Sequence, residues 1–138
     1  GGWESSGGKG LTMAGYESYR KFYQDVSDSA AVGSADAALV TVRNASHTLF
    51  LQKAHVQVTG ASAGKTWQLK DSGGQELTGP FDVGTDGAHW DMDFGPLGLE
   101  LTEGKNLDID VSASGATGWV SWEAYQKLTA AGVAASSA

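Results

Sequence analysis

The 138-residue chain carries sixteen acidic and nine basic side chains, a net charge of −7, and no cysteine. That length suits one domain with a buried core. The missing thiols exclude a disulfide scaffold and a thiolate metal site, and the acidic balance argues against nucleic acid and anionic membranes as partners, because phosphates demand a basic stripe.

Residues 1–15 are rich in Gly and Ser and show little periodicity, so they read as a flexible N-terminal arm. Its apolar residues, Trp3, Leu11 and Met13, could dock on a neighbouring subunit. The chain begins at Gly1 without Met or an apolar signal core, which points to a removed leader or a trimmed piece. No apolar run approaches the roughly 18 residues of a spanning helix.

From residue 16 to 128 the pattern is that of short strands. The aromatic run 16–26 favours a strand. Residues 37–43 alternate Ala38, Val40 and Val42 against Leu39, Thr41 and Arg43, and a turn follows at 44–47. Residues 48–59 form a long strand with Ala54, Val56 and Val58 on one face and Lys53, His55 and Gln57 on the other. The loop 60–64 reads as a hairpin answered by 65–71, with Trp67 and Leu69 inward. A short strand in 75–83 is broken at Pro80. Residues 88–94 alternate Trp90, Met92 and Phe94 against His89, Asp91 and Asp93. After a short strand at 99–102, Leu107, Ile109 and Val111 alternate with Asp108 and Asp110. A Gly/Ser turn then leads to Val120, Trp122 and Ala124 against Trp119, Ser121, Glu123 and Tyr125. The last two runs read as a closing hairpin. Residues 129–138 form an Ala/Ser-rich tail.

The twenty glycines, about twice the average usage, fit many tight turns. Seven or eight strands with regular turn signals predict an all-β, antiparallel, jelly-roll-like sandwich.

No motif for chemistry stands out. His47, His55 and His89 lie in no nucleophile elbow or HExxH pattern; a lone strand histidine reads as a solvated polar-face residue. A small hydrolase would need the fold to bring Ser, His and an acid together. The rows His89, Asp91, Asp93 and Asp108, Asp110 could offer oxygens to Ca²⁺, yet alternation produces such rows on any solvated sheet. No cofactor is expected. Gly7-Gly8-Lys9-Gly10 lacks P-loop spacing, and the sequon Asn44-Ala45-Ser46 reads as chance. Trp67, Trp90 and Trp122 read as core. Trp119 and Tyr125 fall on the opposite face of the last strand, so that strand is expected to be covered on both sides, by a partner or by the arm. A sugar stacking on Trp119 is the competing idea.

Four stretches carry a family resemblance: FLQKAHVQVT at 50–59, KTWQLKDSGG at 65–74, DFGPLGLELTEGKNLDIDVS at 93–112 and GWVSWEAYQK at 118–127. They resemble the jelly-roll capsid-decoration and head-fibre proteins of tailed phages, a resemblance that covers roughly residues 37–127. The resemblance implies a non-enzymatic virion protein on the outer capsid surface. It would be a homotrimer that cements the head by bridging subunits of the major capsid protein. No catalytic residue transfers with it. Trp3, Leu11, Met13, Trp119 and Tyr125 are the expected interface residues. The alternative is a carbohydrate-binding or receptor-binding sandwich module using Trp119 and Tyr125.

Overall fold

The computed structural model describes residues 23–129, in which ten strands and no helix occur. They are β1 (Tyr23–Asp25), β2 (Asp28–Val32), β3 (Ala37–Val40), β4 (His47–Gly60), β5 (Thr66–Asp71), β6 (Phe81–Asp82), β7 (His89–Asp93), β8 (Leu99–Glu100), β9 (Leu107–Val111) and β10 (Thr117–Leu128).

Two antiparallel sheets form. The four-stranded sheet runs β3-β9-β5-β6. The six-stranded sheet runs β1-β10-β4-β7, with β2 continuing the edge of β1 along β10 and β8 continuing the edge of β7 along β4. Setting aside the short β1 and β8, the partners nest: β2 with β10, β3 with β9, β4 with β7, β5 with β6. First pairs with last, second with second-last, and so inward. This is the winding of a jelly roll, and the fold is an all-β jelly-roll sandwich.

That winding corrects two sequence expectations. Neither 60–64 nor 112–116 is a hairpin turn. β4 and β5 lie in different sheets, as do β9 and β10. A Gly/Ser turn signals that the chain reverses, but not whether the next strand lands beside the last or across the core from it. Here Leu107 and Ile109 of β9 face Val120, Trp122 and Ala124 of β10 across the sandwich. Of the seven links in the nested set, only β5 to β6 stays within one sheet. The segment Asp28–Val32, unmarked by the sequence pattern, is a true edge strand, and 75–83 holds only the two-residue β6 and a bridge from Glu76 to Lys70.

The core joins both inner faces. Leu49, Leu51, Val56 and Val58 of β4 meet Trp67 and Leu69 of β5, with Ile109 and Val120, all at most 1% exposed. Trp67 and Trp122 are buried as expected, and Trp122 Nε1 donates to Val26 O at 2.8 Å. Trp90 is only partly buried, packed on Phe81 at 4.9 Å between ring centres. Gly118 faces inward where two layers touch. A Cβ there would collide with Gln57 O and lie 3.0 Å from Trp67 Cη2, so the approach of β10 to Trp67 requires glycine.

β4 breaks strict alternation. Its register on β10 slips between Glu123 and Ala124, leaving Gln52 as an extra residue. Such a bulge reverses the parity of everything before it. Leu49 and Leu51 are therefore buried together with Ala54 and Val56, and Phe50 is turned to the outer face.

Candidate functional site

The outer face of the six-stranded sheet carries the unusual surface chemistry. Adjacent strands set its side chains in rows. One row runs Ala31, Trp119, Gln57, His89; the next runs Ser29, Ser121, His55, Asp91; a third runs Glu123, Lys53, Asp93. Lys53, His55, Asp91, Asp93, Ser121 and Glu123 line an open groove of about 480 Å³.

The second row brings Ser, His and Asp together. His55 Nδ1 donates to Asp91 Oδ1 at 2.5 Å, but the two side chains are 39% and 73% exposed. Ser121 makes no hydrogen bond to His55, so no general base is held on its hydroxyl. Both β4 and β10 have sheet partners on either side at this row. The row is a polar surface in which the histidine is held by Asp91. Among the described residues no group of three or more His, Asp or Glu has metal-holding geometry.

The far end of the same face is aromatic. Phe50 and Tyr125 stack at 5.0 Å with an 8° tilt, and Tyr23 lies 6.3 Å from Tyr125. Lys127 Nζ sits 4.9 Å from the Phe50 ring centre and 5.9 Å from that of Tyr23, within cation–π range. The turn Gly95–Gly98 folds onto this patch. Gln52 Nε2 donates to Pro96 O and the Tyr125 hydroxyl to Leu97 O, each at 2.7 Å, which leaves Leu97 78% exposed. Burial, with the neighbouring Tyr23 and Glu100, pushes the Tyr125 hydroxyl above its ordinary pKa. Tyr23, Gln24, Asp25, Gln52, Pro96 and Tyr125 line a shallow pocket of about 390 Å³.

The expected site residues are therefore separated. Trp119 stands out from the face, 54% exposed. Tyr125 shares its strand face but lies six residues along, about 20 Å at strand rise, in the aromatic cluster. One sugar ring cannot touch both. Trp3, Leu11 and Met13 lie outside the described residues. His47 departs from the solvated-histidine expectation. It is 5% exposed and donates from Nδ1 to Asn44 Oδ1 at 2.8 Å. Burial first, then the Arg43 charge, lowers its pKa. The sequon Asn44 uses the same Oδ1 to accept from Ser46 N at 2.9 Å, closing its own turn.

No protein-family model matches this chain, and no curated protein matches it. Among solved structures it is similar to a chain of Bacillus endospore appendages, described as disulfide-linked pili, at 14% identity and TM-score 0.44, covering 78% of this chain and 88% of that one. It is also similar to a chain of the extra small virus particle of the giant freshwater prawn Macrobrachium rosenbergii, at 10% identity and TM-score 0.38 over 75% and 79%. A third is a chain of infectious bursal disease virus strain Gx, at 17% identity and TM-score 0.34, covering 78% of this chain but 32% of that one. Likeness this distant assigns no role.

Sequence reasoning missed Phe50, Tyr23 and Leu97. Phe50 was hidden by the bulge, since alternation counted back from Ala54 sends it inward. Leu97 sits in a Gly/Pro turn with no period at all. Tyr23 shares an aromatic run whose facing is set only by its pairing with Lys127.

Proposed function

We propose that this chain is a structural virion protein: a capsid-decoration (cement) jelly roll on the outer surface of a phage head, bridging neighbouring subunits of the major capsid protein as a homotrimer, with no catalytic role. The observation that supports this reading is the exposed Leu97 beside the stacked rings of Phe50 and Tyr125 on the outer face. A patch of that kind suits an interface. Burying about 200 Å² of it is worth about 5 kcal/mol, similar to the several kcal/mol that association costs. One contact is therefore weak. Three contacts linked in a trimer hold through effective concentration. The N-terminal arm with Trp3, Leu11 and Met13 adds further apolar area.

The test is the solution mass of the full chain by light scattering, followed by cosedimentation with capsid shells lacking it. A trimer that binds shells, and loses binding on deletion of residues 1–15 or in Tyr125→Ala with Leu97→Ser, supports the proposal. A monomer that never cosediments overturns it, and unchanged binding without residues 1–15 removes the arm from the mechanism.

A further inference from the structure

The Trp119 half of the outer face is chemically distinct from the aromatic end, and the charged row Glu123, Lys53, Asp93 separates the two. Trp119 is 54% exposed on β10, the strand that lies between β2 and β4. Its neighbour in register on one side is Ala31, too small to cover an indole. On the other side stands Gln57, with His89 beyond it. Along its own strand the same face offers Thr117 and Ser121. A large apolar ring thus stands uncovered inside a ring of short polar side chains held on rigid strands.

We infer that this half of the face is a binding site for a neutral glycan, with a pyranose ring stacked on Trp119 and the adjoining groove taking its hydroxyls. The C–H face of a pyranose carries partial positive charge and is drawn to the electron-rich face of an indole. Flat carriers of that face suit a flat platform, and there is no deep hole here for an amino-acid side chain. A peptide strand is disfavoured for a second reason. Strand addition takes place along a sheet edge, here β2 or β7, and not over the face of β10 from which Trp119 projects.

The groove supplies the polar contacts. His55 lines the groove with Nδ1 tied to Asp91, which fixes its ring orientation. His89 is tied in the same way to Gly87 O at 3.3 Å. Ser121 and Glu123 present a hydroxyl and a carboxyl group in the groove, and Gln57 presents an amide beside Trp119. His55 and His89, already held by these bonds, lose little entropy on binding. The sign of the charge narrows the ligand class. Asp91, Asp93 and Glu123 face the groove against Lys53 alone, so a sialylated or sulfated chain would meet repulsion, whereas sugar hydroxyls find acceptors. This inference does not depend on the assembly role. A decoration protein, a fibre domain and a secreted module could each carry such a site.

The experiment titrates the full chain with neutral hexasaccharides (cellohexaose, maltohexaose, chitohexaose and mannohexaose) and with the anionic 3′-sialyllactose and a heparin hexasaccharide, read by intrinsic tryptophan fluorescence and calorimetry. At least one neutral chain should bind with a Kd below about 10 mM. Trp119→Ala should weaken it at least about tenfold, Trp119→Tyr should retain most of the binding, and Gln57→Ala and Asp91→Asn should each weaken it severalfold. Tyr125→Phe, at the far end, should leave it unchanged. Cooperative thermal melting with midpoints well above the assay temperature confirms that the variants fold. No neutral binder, tighter binding of the anionic chains, or an unchanged Kd in Trp119→Ala overturns the inference. So does a fall in solution mass in Trp119→Ala, because Trp119 would then be buried against another copy of this chain.

Discussion

Asp71 is the side chain on which the turn region between the sheets depends. It lies at the end of β5, 2% exposed. Its Oδ1 accepts from Gly73 N at 2.9 Å and Gln75 N at 3.0 Å, and Oδ2 accepts from Thr102 N at 2.9 Å. One carboxylate thus fixes the 71–75 turn, with Gly74 at φ 97°, and ties the loop after β8 to it. Bonds to a charged acceptor are worth about 1.5–3 kcal/mol each, but water recovers part of that when the acceptor is removed. Asp71→Ala should therefore cost about 3–4 kcal/mol, a large share of the 5–15 kcal/mol that holds a typical domain together. Asp71→Asn should cost less, since its remaining oxygen keeps one side of the network while its amide N–H₂ confronts an N–H donor. Burial alone would raise the Asp71 pKa; the bonds from Thr102, Gln75 and Gly73 together outweigh it and hold the carboxyl below its ordinary 3.8. The folded state binds this proton less readily than the unfolded chain. The stabilisation is accordingly complete above pH 3.8 and is lost as pH falls through the lower folded value. Urea titrations at pH 7 and at successively lower pH, followed by the fluorescence of buried Trp67 and Trp122, measure this directly. A loss below about 1 kcal/mol at pH 7, or a gap between wild type and Asp71→Ala that stays constant into acid, would refute the reasoning.

Three further outcomes follow from the same geometry. Gly118→Ala should destabilise by about 3 kcal/mol or prevent folding, because the new methyl meets Gln57 O and the Trp67 ring, and the backbone cannot yield within a paired strand; the melting midpoint reads it. Asp108→Asn should stabilise by up to about 1 kcal/mol at pH 7, since Asp108 Oδ1 is buried without a partner among the described residues. Burial first, then the charges of Asp110, Asp71 and Asp36, raises its pKa, so the charged form opposes folding at neutral pH and the gain should vanish below the ordinary carboxylate value. Tyr125→Phe should cost about 1 kcal/mol and speed amide exchange in the Gly95–Gly98 turn, which loses its bond to the Tyr125 hydroxyl.

Much of the fold was legible because alternation survives wherever a strand is regular. Val120, Trp122 and Ala124 are buried and Trp119 exposed as the parity of β10 requires. Trp90 and Met92 turn inward on β7 while His89, Asp91 and Asp93 stay exposed. What alternation cannot encode is the partner. The parity of β9 and β10 is the same whether they lie side by side or face each other, so the closing hairpin was inferred where a crossing between sheets occurs. Nor does parity count extra residues. Only the pairing of β4 with β10 exposes the bulge at Gln52 and, with it, the outward turn of Phe50. The His55–Asp91 contact was equally unreadable, because it joins residues 36 positions apart through a register that the sequence does not state.

Strand length explains why the two ends of this face differ. β4 and β10 run 14 and 12 residues, whereas the strands of the opposing sheet run six at most. The long pair must overhang the smaller sheet. Beneath the Trp119 half lies the apolar sandwich of Val56, Val58, Trp67 and Val120. Beneath the aromatic half the buried residues include His47, Thr48 and Gln126, and polar bonds fill the place of a facing strand. Gln126 Oε1 accepts from Arg43 N at 3.0 Å, and its Nε2 donates to Gln24 Oε1 at 2.7 Å. Loops rather than a sheet close that end, and loops adjust at lower cost than paired strands. A rigid platform suits selective recognition of a small ring, since preorganised groups lose least on binding. An aromatic patch over an adjustable, loop-closed end suits a contact that must conform to a neighbouring subunit. The division of one sheet face into two working surfaces thus comes from the mismatch in strand lengths.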